Sequence, residues 1–129
     1  MSRIRSKNTQ AELALRRELF RLGLRYRIHA PDLPGRPDIV FRGRRVAVFV
    51  DGDFWHGRRF DDWAHKLSEP WRAKIARNRA RDAASNAALK ALGWAVVRVW
   101  EKDLKADPAV GVARIRRLLR KIRSGTRVG

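Results

Sequence analysis

Three short stretches of this sequence carry side chains able to act on a phosphate ester. The first is Pro37-Asp38, where an aspartate opens the apolar run Ile39-Val40-Phe41. Taken alone, such an aspartate more often caps a turn than binds a ligand. The second is the end of Arg45-Val46-Ala47-Val48-Phe49-Val50, which stops at Asp51-Gly52-Asp53. Arg42-Gly43-Arg44 reads as a tight turn between the two runs, so they should pair as a hairpin and bring Asp38 beside Val50 and Asp51. Two carboxylates at one strand end form a hard, oxygen-rich site, and they repel unless a cation joins them or one keeps a proton. Mg²⁺ suits such a site, because it takes one or two carboxylates and completes its shell with water and substrate phosphate. The third stretch is Asp53-Phe54-Trp55-His56-Gly57, delivered to the same place by the apolar run. A histidine near a hydrated cation can take a proton from an attacking water.

Further along, Trp71, Ile75, Asn78, Asp82, Ser85 and Leu89 follow one another at alternating steps of four and three. On a helix they share one face, apolar at both ends and polar in the middle. Asp82 on such a face must be satisfied or line a site. It can hold His56 in one tautomer, or pair with Arg79 or Arg81. Arg72, Lys74, Arg77, Arg79 and Arg81 occupy the other faces as a candidate phosphate rail. Glu12 stands three residues after Thr9, the spacing of a capping box, and can also reach the water shell of an ion. Phe54 and Trp55 are adjacent in a segment without periodicity, so both cannot enter one core. Either one ring covers the sheet edge, or the pair forms a wedge that enters between base pairs.

The elements that must position these groups can be read in turn. Leu13, Leu15, Leu19 and Leu22 form an apolar stripe over a helix at 10–22, closed by Gly23. Alternation over 24–29 predicts a strand with Leu24, Tyr26 and Ile28 on one face and Arg25, Arg27 and His29 on the other. A turn-rich loop at 31–37 leads to strands at 38–41 and 45–50, and residues 54–70 read as irregular. A long helix at 71–92, a strand at 94–100 and a helix from Asp107-Pro108 to Arg123 complete the order. A right-handed crossover through the long helix makes strand 94–100 parallel to strand 45–50. The result is an α/β chain with a central mixed sheet flanked by helices. Residues 1–8 are expected to be a flexible basic arm, 9–123 one domain, and 124–129 a frayed tail.

The 129 residues carry 31 Lys and Arg against 13 Asp and Glu, a formal charge of +18. A compact domain with that field repels itself unless an anionic partner neutralises part of it, and nucleic acid is the commonest such partner. There are no cysteines, which excludes disulfides and thiolate zinc sites. The amino end has no apolar stretch of the kind a secretory signal needs, and no apolar run is long enough for a membrane span.

Taken together, Pro34-Gly35-Arg36-Pro37-Asp38-Ile39-Val40-Phe41, Val46 to Gly52, Phe54-Trp55-His56-Gly57 and Trp71 to Asp82 resemble the very-short-patch-repair (Vsr) mismatch endonucleases. Met1 to Ile4, Lys7-Asn8-Thr9 with Glu12, and Gly93-Trp94 to Trp100-Glu101 fit the same pattern. The resemblance implies a restriction-endonuclease-like, PD-(D/E)xK-type three-layer fold. It implies Mg²⁺-dependent hydrolysis of one phosphodiester of duplex DNA, on the 5′ side of the mismatched thymine in a T·G pair. By position, Asp38 would ligate the metal and Val50 would offer its carbonyl, while Asp51 and Glu12 would act through water. His56 would be the general base with Asp82 behind it. Phe54, Trp55 and Trp71 would match the intercalating aromatics. A monomer acting in the cytoplasm, at the nucleoid, is the corresponding expectation.

The sequence departs from the family where Asp53 stands in place of a cysteine, and where 57–70 is shorter than in zinc-bearing members. A zinc-free branch is therefore expected, with Asp61, Trp63 and Phe60 in place of the zinc clip. Two readings compete with mismatch nicking. One is a nuclease of the same fold with another DNA substrate. The other is a non-catalytic basic DNA-binding protein, which would need neither Asp38 nor His56.

Overall fold

The computed structural model describes residues 9–126, so the expected arm at 1–8 and the last three residues lie outside the described part. Helix α1 (Gln10–Arg21) starts where Thr9 accepts a hydrogen bond from the Glu12 amide at 3.2 Å. It buries Ala11, Glu12, Leu15 and Leu19. Leu13 and Leu22, expected in the apolar stripe, are instead exposed. Leu13 is two residues from Leu15 and so roughly 160° away around the helix, and only one side of α1 is covered.

Strand β1 is just Arg27–Ile28, at the edge of a four-stranded sheet of order β1-β2-β3-β4. The longer expected strand at 24–29 is cut short by His29, whose φ of 47° turns the chain. The alternation breaks with it, so Ile28 is exposed and His29 is half-buried. Strands β2 (Ile39–Phe41) and β3 (Val46–Asp51) form the expected hairpin, with Ile39 opposite Val48. Strand β4 (Ala95–Trp100) lies parallel to β3, as the crossover rule requires. The crossover holds a one-turn helix α2 (Phe60–Trp63), a 3₁₀ turn at Ala64–Lys66 and the long helix α3 (Glu69–Ala91). Helix α4 (Glu101–Ala106) was not expected; only Leu104 of its six residues is buried, too little for a periodic signal. Helix α5 (Pro108–Thr126) follows.

Side chains alternate across the sheet. Ile39, Phe41, Val46, Val48, Val97 and Val99 pack against Leu15 and Leu19 of α1, Leu104 of α4, and Ile115 and Leu119 of α5. Val40, Ala47 and Phe49 face the other way, with Leu89 of α3. Each fully buried aliphatic side chain contributes about 1.5–3 kcal/mol. The three layers match the expected restriction-endonuclease-like architecture. The same alternation sends Val50 toward the α1 layer and its neighbour Asp51 toward α3.

Candidate active site

At the end of the hairpin, the Asp38 amide donates to the Val48 carbonyl at 3.0 Å. The Asp38 carboxylate then accepts from the Val50 amide at 2.7 Å, taking the place of a backbone acceptor just beyond the strand. From α1, the buried Glu12 carboxylate meets His29 Nε2 at 3.0 Å and lies 3.9 Å from Arg16. Glu12, His29 and Asp38 each hold one ligating atom within 4.8 Å of the others. Glu12 and Asp38 border a cleft of about 340 Å³ that Val50, Trp55, His56, Glu101 and Lys105 also line.

A second group lies on the α3 side. His56 Nδ1 is 2.6 Å from Asp82 Oδ2 and 3.7 Å from Asp51 Oδ1. Burial pushes the Asp51 carboxyl above its ordinary range, against the opposing pull of His56 and Arg98. Arg98 donates to both Asp51 oxygens, at 3.0 and 3.1 Å. The expected pair of carboxylates at one rim is thus two groups: Asp38 stands with Glu12 and His29, and Asp51 with His56 and Asp82. The cause is the alternation along β3, which turns consecutive side chains to opposite faces. His56 lines the Asp38 cleft and also the smaller hollow that holds Asp51 and Asp82. With Nδ1 engaged by a carboxylate, Nε2 is the nitrogen left to accept a proton.

The loop carrying His56 is fastened to α3. Asn78 donates to the Trp55 carbonyl at 2.9 Å. Gly57 has a φ of +65°, and a Cβ there would meet Arg79 Cδ at 2.7 Å and Ile75 Cγ2 at 3.0 Å. Only glycine lets this loop lie so close to the helix. Of the six-residue face expected on α3, Ile75 and Leu89 are buried while Asn78 and Asp82 serve the site; Asp82 pairs with His56 and Arg98 rather than with Arg79 or Arg81.

The aromatic residues form a surface cluster. Phe54 and Trp71 are 41% and 45% exposed, so neither is a core residue. Phe54 meets Trp55 edge-on at 5.0 Å and stacks on Trp63 at 5.5 Å, and Trp55 lies 5.6 Å from Trp71. Lys74 sits over the Trp55 ring at 5.5 Å. Arg77 and Arg81 are exposed, Arg79 lies over Phe60, and Arg72 donates to the Leu67 carbonyl at 3.0 Å.

The model of the family described as "DNA mismatch endonuclease Vsr" matches residues 1–62. The type II nicking enzyme V.XorIIP of Xanthomonas oryzae pv. oryzae is 46% identical over 121 residues, covering 92% of this chain and 88% of that protein. The chain belongs to the Vsr family. The type II nicking enzyme V.NmeDIP of Neisseria meningitidis serogroup C is 41% identical, over 90% of this chain and 80% of that protein. The DNA mismatch endonuclease Vsr of Escherichia coli is 37% identical, over 81% of this chain and 69% of that protein. This Vsr-family chain is accordingly a DNA-cleaving hydrolase. No helix among the described residues is long and apolar enough to cross a membrane.

In this Vsr chain the loop after β3 is closed by charge. Arg58 donates to Asp53 at 3.0 Å and to both Asp103 oxygens at 3.0 and 3.2 Å, and its guanidinium lies 5.2 Å from the Trp100 ring centre. Asp53 also accepts from the Lys102 amide at 3.1 Å. Asp61, expected in this role, is exposed and enters no ion pair among the described residues, whereas Phe60 is buried and packs edge-on against Trp63 at 5.4 Å. The correction follows from reach: Asp53 and Arg58 are five residues apart on one loop, but Asp103 arrives from α4. Sequence reasoning also missed His29, Arg98, Glu101 and Lys105. His29 had a signal, since it follows a strand that ends at the sheet edge. Arg98 had none, because its partners come from β3 and α3.

Proposed function

We propose that this endonuclease nicks one strand of duplex DNA beside a T·G mismatch, as a monomer, with Mg²⁺ as its cofactor, on chromosomal DNA at the cytoplasmic nucleoid. The observation that carries the chemistry is His56, which borders the Asp38 cleft while Asp82 engages its Nδ1 at 2.6 Å. The donor set around the cleft fits a hard divalent cation, since Asp38, Glu12 and the Val50 backbone offer oxygen. Asp38 and the Val50 carbonyl would hold the ion, with Glu12 and Asp51 acting through water. When bound, the ion opposes the charge that builds on the phosphate and acidifies water. Asp82 holds His56 in the tautomer that leaves Nε2 free, and His56 takes the proton of the attacking water there. Lys74, Arg77, Arg79, Arg81 and the partly engaged Arg72 are read as contacts to the phosphate backbone. Mismatch choice is supported by the exposed rings of Phe54 and Trp71, with Trp55 between them, close to His56 in the chain. A wedge of this kind enters most easily where pairing is already weak.

The test is nicking of a panel of matched and mismatched duplexes with Mg²⁺, by wild type and Asp38→Ala. The expected outcome is preferential nicking of T·G by the wild type, and no cleavage but retained DNA binding by the variant. Strong residual cleavage by Asp38→Ala sinks the site, and equal cutting of matched and mismatched duplexes sinks the repair reading.

A further inference from the structure

Arg98 lies in β4 between Val97 and Val99, which face the α1 layer, so its own side chain crosses to the α3 face. Its guanidinium sits 3.9 Å from the Phe49 ring centre, and Nε donates to Asn86 of α3 at 2.9 Å. One terminal nitrogen donates to both oxygens of Asp51 and lies 3.6 Å from Asp82 Oδ1. Asp82 Oδ2 is the oxygen that meets His56. The side chain is only 17% exposed, so these contacts are made largely out of water.

We propose that Arg98 is a positioning residue for the His56 base, an inference that rests on the role given to His56 above. The Asp82 carboxylate is held from both ends, with Arg98 near Oδ1 and His56 at Oδ2. Asp51, the other carboxylate beside His56 Nδ1, is turned by the same guanidinium. Phe49 below and Asn86 alongside fix the plane of the guanidinium, so the sheet and α3 together set where both carboxylates point. Without Arg98, two acidic groups share one hollow with no cation to separate them, and each is free to rotate away from its neighbour. The imidazole then loses the single acceptor that selects its tautomer. Arginine suits this place because its planar fork reaches Asn86 and the carboxylates at once, which a lysine cannot do.

The experiment reads the His56 ring directly. ¹⁵N NMR of the free protein, without DNA or metal and at a pH where the ring is neutral, reports which nitrogen carries the proton. The wild type is expected to show one tautomer, with the proton on Nδ1. Arg98→Gln is expected to show a mixture, and its single-turnover nicking rate should fall roughly ten- to a hundred-fold, while its affinity for the same duplex changes by less than about threefold. Arg98→Lys keeps the charge and loses the Asn86 bond, so it should fall between the two; it is the variant to read if Arg98→Gln does not fold. A wild type with mixed tautomers overturns the proposal. So does a folded variant whose tautomer stays fixed, whether or not its cleavage falls. Because the spectrum is taken on free protein, and the rate on whichever duplex the wild type cuts best, a failure of the T·G assignment leaves this result standing.

Discussion

Val50 and Asp51 are bonded neighbours that serve different layers, the Val50 amide donating to Asp38 and the Asp51 carboxylate accepting from Arg98. One peptide unit therefore joins the oxygen-rich cleft to the group around His56. The positions of Asp38, His56 and Asp82 were legible in the sequence because they precede a strand, follow one, and interrupt an apolar helix face, respectively. Arg98 was not, since its contacts lie 12 and 47 residues away and nothing local marks it. The split between Asp38 and Asp51 was half legible: the hairpin was correct, but side-chain alternation was not applied to its last two residues. Trp55 carries the prediction at this scale. Its carbonyl is held by Asn78, so removal of the ring leaves the backbone anchor in place. Stacking of one ring on a base contributes about 1–3 kcal/mol. Trp55→Ala should lower cleavage of a T·G duplex about tenfold or more, and lower binding to matched duplex far less, because phosphate contacts dominate there. Paired binding and cleavage assays check it; equal loss on both duplexes counts against insertion.

Among the elements, β2, β3, α3 and β4 were readable because each has a single dominant pattern: an apolar run, a repeating helix face, or alternation beside a glycine. The misread elements are the short ones. β1 has two residues and one partner strand, so tertiary pairing decides its length. α2 and α4 are too short to show a period, and they are fixed by what they tie down. Arg58 is the tie, reaching from the loop before α2 to Asp53 and to Asp103 of α4. Its side chain is one-third exposed, which screens each pair, so the network is expected to stabilise the fold by only about 1 kcal/mol. Arg58→Ala should lower the melting temperature by about 4 °C at low salt. The difference should shrink in 1 M salt, where screening reaches a few ångströms. Thermal melts at the two ionic strengths measure this; a loss unaffected by salt would assign the contribution to packing on Trp100 instead.

The whole molecule is a field of +18, within which Glu12, Asp38, Asp51 and Asp82 stand in two neighbouring groups beside His29 and His56. A field of that sign attracts the phosphate backbone of DNA. Affinity for duplex should fall linearly on a log–log plot against salt, with a slope of roughly −0.9 for each phosphate contact neutralised. Fluorescence anisotropy across a salt series tests this, and a flat plot would place the charge away from the interface.

A loop tied by Asp53, Arg58 and Asp103 answers to different stresses than one tied by thiolates and an ion. With no cysteine in the chain, it holds no thiolate that peroxide can oxidise. These carboxylate–guanidinium ties are made without a metal, so a chelator is expected to leave the loop closed, which a thermal melt with and without chelator checks. The exchange moves the loop's weak point from redox state to ionic strength, the same variable expected to govern its grip on DNA.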